Sequence, residues 1–286
     1  MTERDRSSAG QGPRATLARG NPCGMTRYLR LLAIQLQVSA ASAMAYRANF
    51  LIEGVMSLAW MALTLLPLIV VFDGRDQVAG WDAPSALIVI AYFMAVRAVL
   101  EGTISPSLVD LVEKIRSGSF DYVLLKPIDA QVMVSASRYE PWKVFDLAGA
   151  IAIVIYALAK RGAPPSAADL VLGALLFGSG VLAAYALWIL CAAASFWVVR
   201  LDNLMYLLGA IFDTARWPVQ VFPRAWGFAF TFVIPVAIMT TYPAKALLGT
   251  LDAPAALATM GGSLLLLVVS RLVWRIAIRS YTSASS

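Results

Sequence analysis

Long apolar runs alternate with short charged stretches along most of this chain. From Leu51 to Phe72 the single charge is Glu53. At ~1.5 Å per residue these roughly 22 positions cover a hydrocarbon core of ~30 Å. Asp73, Gly74, Arg75 and Asp76 then end the run. A second run covers about 84–104 and carries Arg97 and Glu101. A third and a fourth cover about 142–159 and 170–199, parted by Lys160-Arg161-Gly162-Ala163-Pro164-Pro165, and a last clean run covers 255–276. Each predicts a transmembrane helix.

The stretch 201–242 is broken by Arg216, Pro218, Pro223, Arg224 and Pro235. One reading takes 201–216 as a fifth span and 217–242 as a re-entrant helical hairpin, its irregular backbone shielded by protein. The other counts a seventh crossing, which puts the termini on opposite sides. Charge favours the first. Arg271, Arg275 and Arg279 close the last run, and Lys114, Arg116, Lys126, Arg138 and Lys143 mark the connection after the second. The loops after the first and third runs offer only Arg75, Lys160 and Arg161. Basic residues stay on the cytoplasmic side, so six spans with both termini cytoplasmic are expected. Residues 1–24, rich in Ser, Gly, Arg and Pro, read as a disordered cytoplasmic leader without a signal-peptide core. Residues 25–48 place Met25, Leu29, Leu32, Leu36 and Ala43 near one face between Arg27, Arg30, Gln37 and Arg47, the pattern of an interfacial amphipathic helix. The expected fold class is thus an all-α integral membrane protein, with the transmembrane domain over 25–286.

Composition agrees. The 286 residues are 60% hydrophobic and 14% charged, against roughly 45–50% and 25% in soluble domains. The net charge of +6 lies in segments flanking apolar runs, so it reads as topology and not as a nucleic-acid footprint. With no histidine, Ser/His/Asp relays and His-dependent metal sets are excluded, and no metal site is expected. Cys23 and Cys191 stand alone. No lysine follows a glycine, so the phosphate loop of nucleotide hydrolysis is absent. The chain reads as non-catalytic and without a cofactor of its own, and any ATP that drives it is bound by another chain. Ala174/Gly178 and Gly180/Ala184 have the spacing of close helix packing, and Trp81, Trp142, Trp217, Trp226 and Trp274 fall near run ends, as interfacial anchors do.

The segment 105–138 is the most informative. Leu108, Leu111, Val112 and Ile115 share one helical face with Asp110, Glu113 and Lys114 opposite, and Gly118 stands where a helix C′ residue belongs. The spacing predicts a short amphipathic cytoplasmic helix. It runs into an apolar stretch from Phe120 to Asp129 that a solvated loop would not carry. Two readings are open: a helix resting on the bilayer, or a docking surface for a soluble partner.

Ile115-Arg116-Ser117-Gly118-Ser119-Phe120-Asp121, followed by Leu124-Leu125-Lys126-Pro127-Ile128-Asp129, resembles the ABC-2 type transporter permeases. So do Ala215-Arg216-Trp217-Pro218, Val233-Ile234-Pro235 and Tyr242-Pro243-Ala244, and the resemblance extends over everything after about Met25. It implies a six-helix half-transporter that pairs with a second permease, identical or homologous, above two copies of an ATPase subunit that holds ATP and Mg. It also implies outward transport across the cytoplasmic membrane of a bacterium, without a binding protein. By the resemblance, the surface helix and the loop between spans two and three contact the ATPase, with docking on Leu111, Ile115, Arg116, Phe120 and Asp121. Re-entrant helices between spans five and six, here around Arg216, Pro218 and Pro235, cap the outer side.

Charges within or near span ends are Glu53, Arg97, Glu101 and Asp146. Such groups face protein or water, because a charge at the bilayer centre costs ~2.5–3.5 kcal/mol on insertion scales. Arg97 and Glu101, four apart, can satisfy each other, or they can belong to a substrate path. Two other classes stay open: an ion- or proton-coupled carrier or channel using Arg97, Glu101 and Asp146, and a membrane-embedded enzyme, for which no catalytic set is visible.

Overall fold

Wherever the apolar runs are uninterrupted, the chain forms long helices. The computed structural model describes residues 24–45, 47–126, 128–197 and 202–281. The expected leader lies outside the described residues. Helix α1 (Gly24–Ala45) precedes α2 (Arg47–Phe72), and a two-stranded hairpin, β1 (Gln77–Val78) with β2 (Trp81–Asp82), leads into α3 (Ala83–Val99). A π-helical turn (Leu100–Ile104) continues into α4 (Ser105–Arg116). Short α5 (Asp121–Leu124) and α6 (Ala130–Ser135) follow, then α7 (Val144–Arg161), α8 (Ala167–Ala194), α9 (Asp202–Phe212), α10 (Arg224–Phe228), α11 (Val236–Met239), α12 (Thr241–Leu247) and α13 (Ala253–Arg279). Among the described residues five helices are long and apolar enough to cross a membrane: 47–72, 83–116, 141–161, 167–194 and 253–279.

The second span does not stop at 104, and the expected separate amphipathic helix is its continuation. Ala83–Arg116 is one helix of 34 residues, about 51 Å long at 1.5 Å per residue, so its last turns project beyond a ~30 Å core. Pro106 cannot donate to the preceding turn and its ring crowds that turn. The helix widens there into the π turn, and Ser105 N–H bonds Leu100 O. The hydroxyl of Thr103 donates to Val99 O (2.7 Å) and that of Ser107 to Thr103 O (2.8 Å), so displaced carbonyls keep partners. Gly118, at φ +73°, then ends α4 in the left-handed conformation its position predicts.

This helix is the axis of the bundle. Its α3 part packs on α2, α7, α8 and α12, while α8 packs on α11, α12 and α13. Asp169 and Ser166 form a reciprocal capping box that starts α8. Of the two small-residue pairs in α8, Gly180 and Ala184 are buried, and a Cβ on Gly180 would meet the Met239 backbone at 2.9 Å. Ala174 and Gly178 are exposed instead.

The expected fifth span at 201–216 is not a membrane-length helix. Within the described residues α9 has 11 residues, about 16 Å, and a 3₁₀ turn (Asp213–Arg216) follows it. The proline-broken region does form half-helices. Arg224–Thr231 and Val236–Leu247 meet at a 65° bend, so the count of crossings is five, or six if the bent pair is one span. Pro218 and Pro235 are buried. The Thr240 hydroxyl donates to Ala215 O (2.9 Å), and Val219 N–H to the Thr241 hydroxyl (3.2 Å), which closes this region on itself. The buried Trp81 indole donates to Gln220 (3.3 Å) and ties the hairpin end of the bundle to the same region.

Two surface expectations change. Trp81 and Trp274 are buried, so they are core residues and not interfacial anchors; Trp226 is exposed. In α1, Ile34, Leu36, Val38 and Met44 are exposed, while Leu32, Gln35, Ser39 and Ala43 are the less exposed positions. Leu36 thus leaves its expected face. The side of α1 turned to the protein carries polar groups, with Gln35 donating to Ser137 O.

Candidate ion-pair ladder and coupling loop

The expected Arg97–Glu101 pair exists, and it is the centre of something longer. Arg97 Nε bonds Glu101 Oε1 at 2.7 Å and its Nη1 reaches Asp213 Oδ1 at 3.0 Å. Lys143 Nζ sits 2.6 Å from Glu101 Oε2 and 3.1 Å from Asp146 Oδ2. The Ser57 hydroxyl donates to Asp146. At the other end Arg216 Nη2 is 3.6 Å from Asp213 Oδ1, and its Nε donates to Asp213 O (2.8 Å). Arg97 and Arg216 both lie over the Phe93 ring, at 5.9 and 5.7 Å. Three cations and three carboxylates alternate, and each of Glu101, Arg97, Lys143 and Asp213 has two partners.

The ladder stitches α2, α3, the start of α7 and the turn after α9. Glu140 N–H donates to Gly102 O (2.8 Å), so Glu101 is level with the start of α7, at the α4 end of the bundle and away from its middle. There charges are less costly than at the bilayer centre. Cavities flank the ladder. One, of about 340 Å³, is lined by Ser57, Trp60, Met94, Lys143 and Asp146; a second, of about 720 Å³, by Val109, Val112, Trp188, Tyr206 and Phe212; Arg97 and Glu101 line both. Lys143 and Asp213 were missed as partners in the sequence. They are 42 and 116 residues from the groups they bind, and only the π turn and the short α9 bring them near. Arg216, expected in the re-entrant region, is the ladder's end.

The coupling loop departs from expectation more sharply. Leu111 and Phe120 are fully buried in this chain, so they are not the apolar ridge of a docking face. Phe120 packs edge-on against Phe196 (5.4 Å) and Tyr281 (5.2 Å), and Phe196 against Trp274 (5.7 Å). A helical face defined by periodicity is apolar because something covers it, and here the cover is the chain itself. Ile115 is half-buried against the core, Arg116 is exposed, and Asp121 is half-buried at the start of α5. Burial, with the Asp121 carboxylate second, pushes the Tyr281 phenol up. A second clamp is formed by Asp129, which caps α6 by accepting from Gln131 and Val132 N–H (3.0 and 3.3 Å) and pairs with Arg271 of α13. Arg271 also donates to Gln131 (2.7 Å), which in turn donates to Tyr185 OH (3.1 Å). The hydrogen bond from Arg271 holds the Asp129 carboxyl below the usual carboxylate range. Anchored twice, the loop turns Tyr122 (72% exposed) and Leu125 (79% exposed) outward.

With this geometry in place the comparisons can be read. The profile of the ABC-2 family transporter proteins matches residues 58–285. The chain belongs to the ABC-2 transporter family. It is a multi-pass membrane protein, the membrane permease of an ABC transporter. The match begins inside α2, so α1 and the first turns of α2 lie outside it, a narrower extent than the expected one from Met25. No curated protein and no solved structure matches the chain.

Proposed function

We propose that this permease is the membrane-spanning half of an exporter driven by a separate ATPase subunit, two copies of which hold ATP and Mg beneath two permeases, this chain with an identical or homologous second one. It moves its substrate outward across the cytoplasmic membrane of a bacterium, with both termini and the α4 end cytoplasmic. Basic residues crowd that end. The chain itself breaks no bond. A proton-coupled carrier gains no support from the ladder, because Glu101, Asp146 and Asp213 are each matched by a cation.

The observation that carries the reading is the doubly anchored loop. Phe120 packs on Phe196 and Tyr281, just past the ends of α8 and α13, Asp129 pairs with Arg271 of α13, and Tyr122 and Leu125 stand out from the loop. A push on these two side chains is transmitted through short, well-packed contacts into the helices of the bundle. The ATPase is the partner expected to push, and the docking site moves from Leu111 and Phe120 to the outward face of α5, with Arg116 beside it. The test is a pair of variants. Tyr122→Asp with Leu125→Asp should leave the permease expressed and inserted while recovery of its ATPase in pull-downs falls tenfold or more, since docking would bury unpaired carboxylates. Normal recovery would refute docking on this loop.

A further inference from the structure

The π turn at Leu100–Ile104 interrupts the α-helical pattern of the 34-residue helix 83–116, and the segment 137–143 is laid along it. Pro106 has no N–H, so Gly102 O lacks the donor that an α-helix would supply four residues further on. Glu140 N–H takes that place at 2.8 Å. One turn beyond, the hydroxyl of the fully buried Ser107 accepts from Arg138 N–H (3.0 Å) and lies 2.9 Å from Arg138 O. Lys143 Nζ holds Glu101 (2.6 Å), and the Ser137 hydroxyl donates to Asp110 (3.1 Å). The contacts thus run in order along the helix: Lys143 on Glu101, Glu140 on Gly102, Arg138 on Ser107, Ser137 on Asp110. The fit is close, since Gly102 is buried and a Cβ there would stand 3.1 Å from Lys143 Cβ.

Both partners lead directly to the coupling loop. Helix α4 runs from the π turn towards α5, and the segment 137–143 leaves the end of α6, which Asp129 caps. Towards the bundle the π turn carries Glu101, the ladder member that with Arg97 lines both cavities. Single π turns inside α-helices concentrate at functional sites, and sharp bends fall at prolines and at π turns. Here the two coincide, and a carbonyl that the helix itself leaves without its usual donor is bonded from outside.

We propose that the segment 137–143 is a latch on the π turn, and that latch and turn together are the joint through which movement of the α4–α5 loop reaches the ladder. With the latch closed, α3 and α4 move as one helix. With Glu140 N–H and Lys143 withdrawn, α4 tilts on the π turn, and Glu101 loses one of its two cations at the wall between the cavities. The joint belongs to this chain alone; the docking reading above supplies only what moves it.

The near contact of positions 102 and 143 makes a lock possible, because 3.1 Å is close to the ~3.5–4.5 Å Cβ separation of a disulfide. The test protein is the full chain with Gly102→Cys and Lys143→Cys, and with Cys23→Ser and Cys191→Ser to remove the native thiols. Its oxidised and reduced forms carry the same substitutions, so any effect of losing Lys143 itself appears in both. The disulfide should form under copper phenanthroline, and failure to form would contradict the closeness on which the latch rests.

The first arm uses the permease without a partner and reads hydrogen exchange by mass spectrometry. Oxidation should slow exchange of residues 100–107 and 137–143 together, by at least tenfold, and leave α8 unchanged. In the chain with its native cysteines, Gly102→Ala should speed the same two segments by a similar factor, because its methyl crowds Lys143. Helix propensity alone predicts the reverse sign for Gly→Ala. Slower exchange in Gly102→Ala, or a change confined to one segment, would overturn the latch. The second arm uses the complex with its ATPase. The oxidised form should keep the ATPase in pull-downs yet hydrolyse ATP at a tenth or less of the reduced form's rate, restored by dithiothreitol. Equal hydrolysis by the two forms would overturn the joint. Absence of any ATPase from the wild-type pull-down would count against docking alone, and the first arm would still decide the latch.

Discussion

At the residue scale, redundancy is what distinguishes the ladder from an ordinary i, i+4 pair. Arg97→Ala leaves Asp213 with Arg216 and Glu101 with Lys143, but the group then carries an extra negative charge. Removing Glu101 as well restores balance, with Arg216–Asp213 and Lys143–Asp146 intact. The double variant should therefore be more stable than Arg97→Ala. The difference is on the order of 1 kcal/mol, since Arg97 and Glu101 remain about a third or more exposed in this chain and solvent screens them. A double-mutant cycle by Tm checks this, and additive losses would show that the two are not coupled. Asp129 gives a pH test. Its carboxyl is depressed in the folded chain, so its contribution is full above its ordinary value of about 4 and fades as pH falls through the lower folded value. The Tm gap between wild type and Asp129→Asn should be constant from neutral pH to about 5 and close in stronger acid. A gap that widens on acidification would contradict the pairing with Arg271.

At the element scale, the loop after α4 has an inside and an outside that the sequence could not separate. Phe120→Ala removes a fully buried ring from an aromatic cluster and should cost ~3–5 kcal/mol. Tyr122→Ala and Leu125→Ala touch exposed surface and should leave Tm nearly unchanged. Scanning calorimetry or thermal shift in detergent distinguishes them, and a mild Phe120→Ala would mean that the ring is not the anchor. The periodicity of Leu108, Leu111, Val112 and Ile115 was legible, as was the stop at Gly118. What covers an apolar face was not, because periodicity reports burial and never the burying surface. The first, third and last uninterrupted runs coincide with helices to within a few residues, whereas α9 and the bent pair depend on how the backbone beside Pro218 is satisfied, with Ala215 O and Val219 N–H taken up by the hydroxyls of Thr240 and Thr241, 25 and 22 residues further along the chain. The second run, by contrast, was read as ending at 104, whereas the helix continues to Arg116 because a π turn absorbs Pro106.

At the scale of the whole molecule, function rests on which end is which and what meets it. On the proposed topology the α4 end and both termini are cytoplasmic, so cysteines at Ser117 and Ser283 should resist a membrane-impermeant thiol reagent in intact cells, while one at Gly80, in the opposite hairpin, should be labelled. Labelling at Ser117 would invert the topology. The central claim, that the outward face of α5 meets an ATPase and does not rest on lipid, is tested most directly by a photo-crosslinking side chain at position 125, with position 111 as the buried control. The account predicts an ATPase-containing adduct from position 125 in native membranes and none from 111. Adducts from position 125 to lipid alone would contradict it.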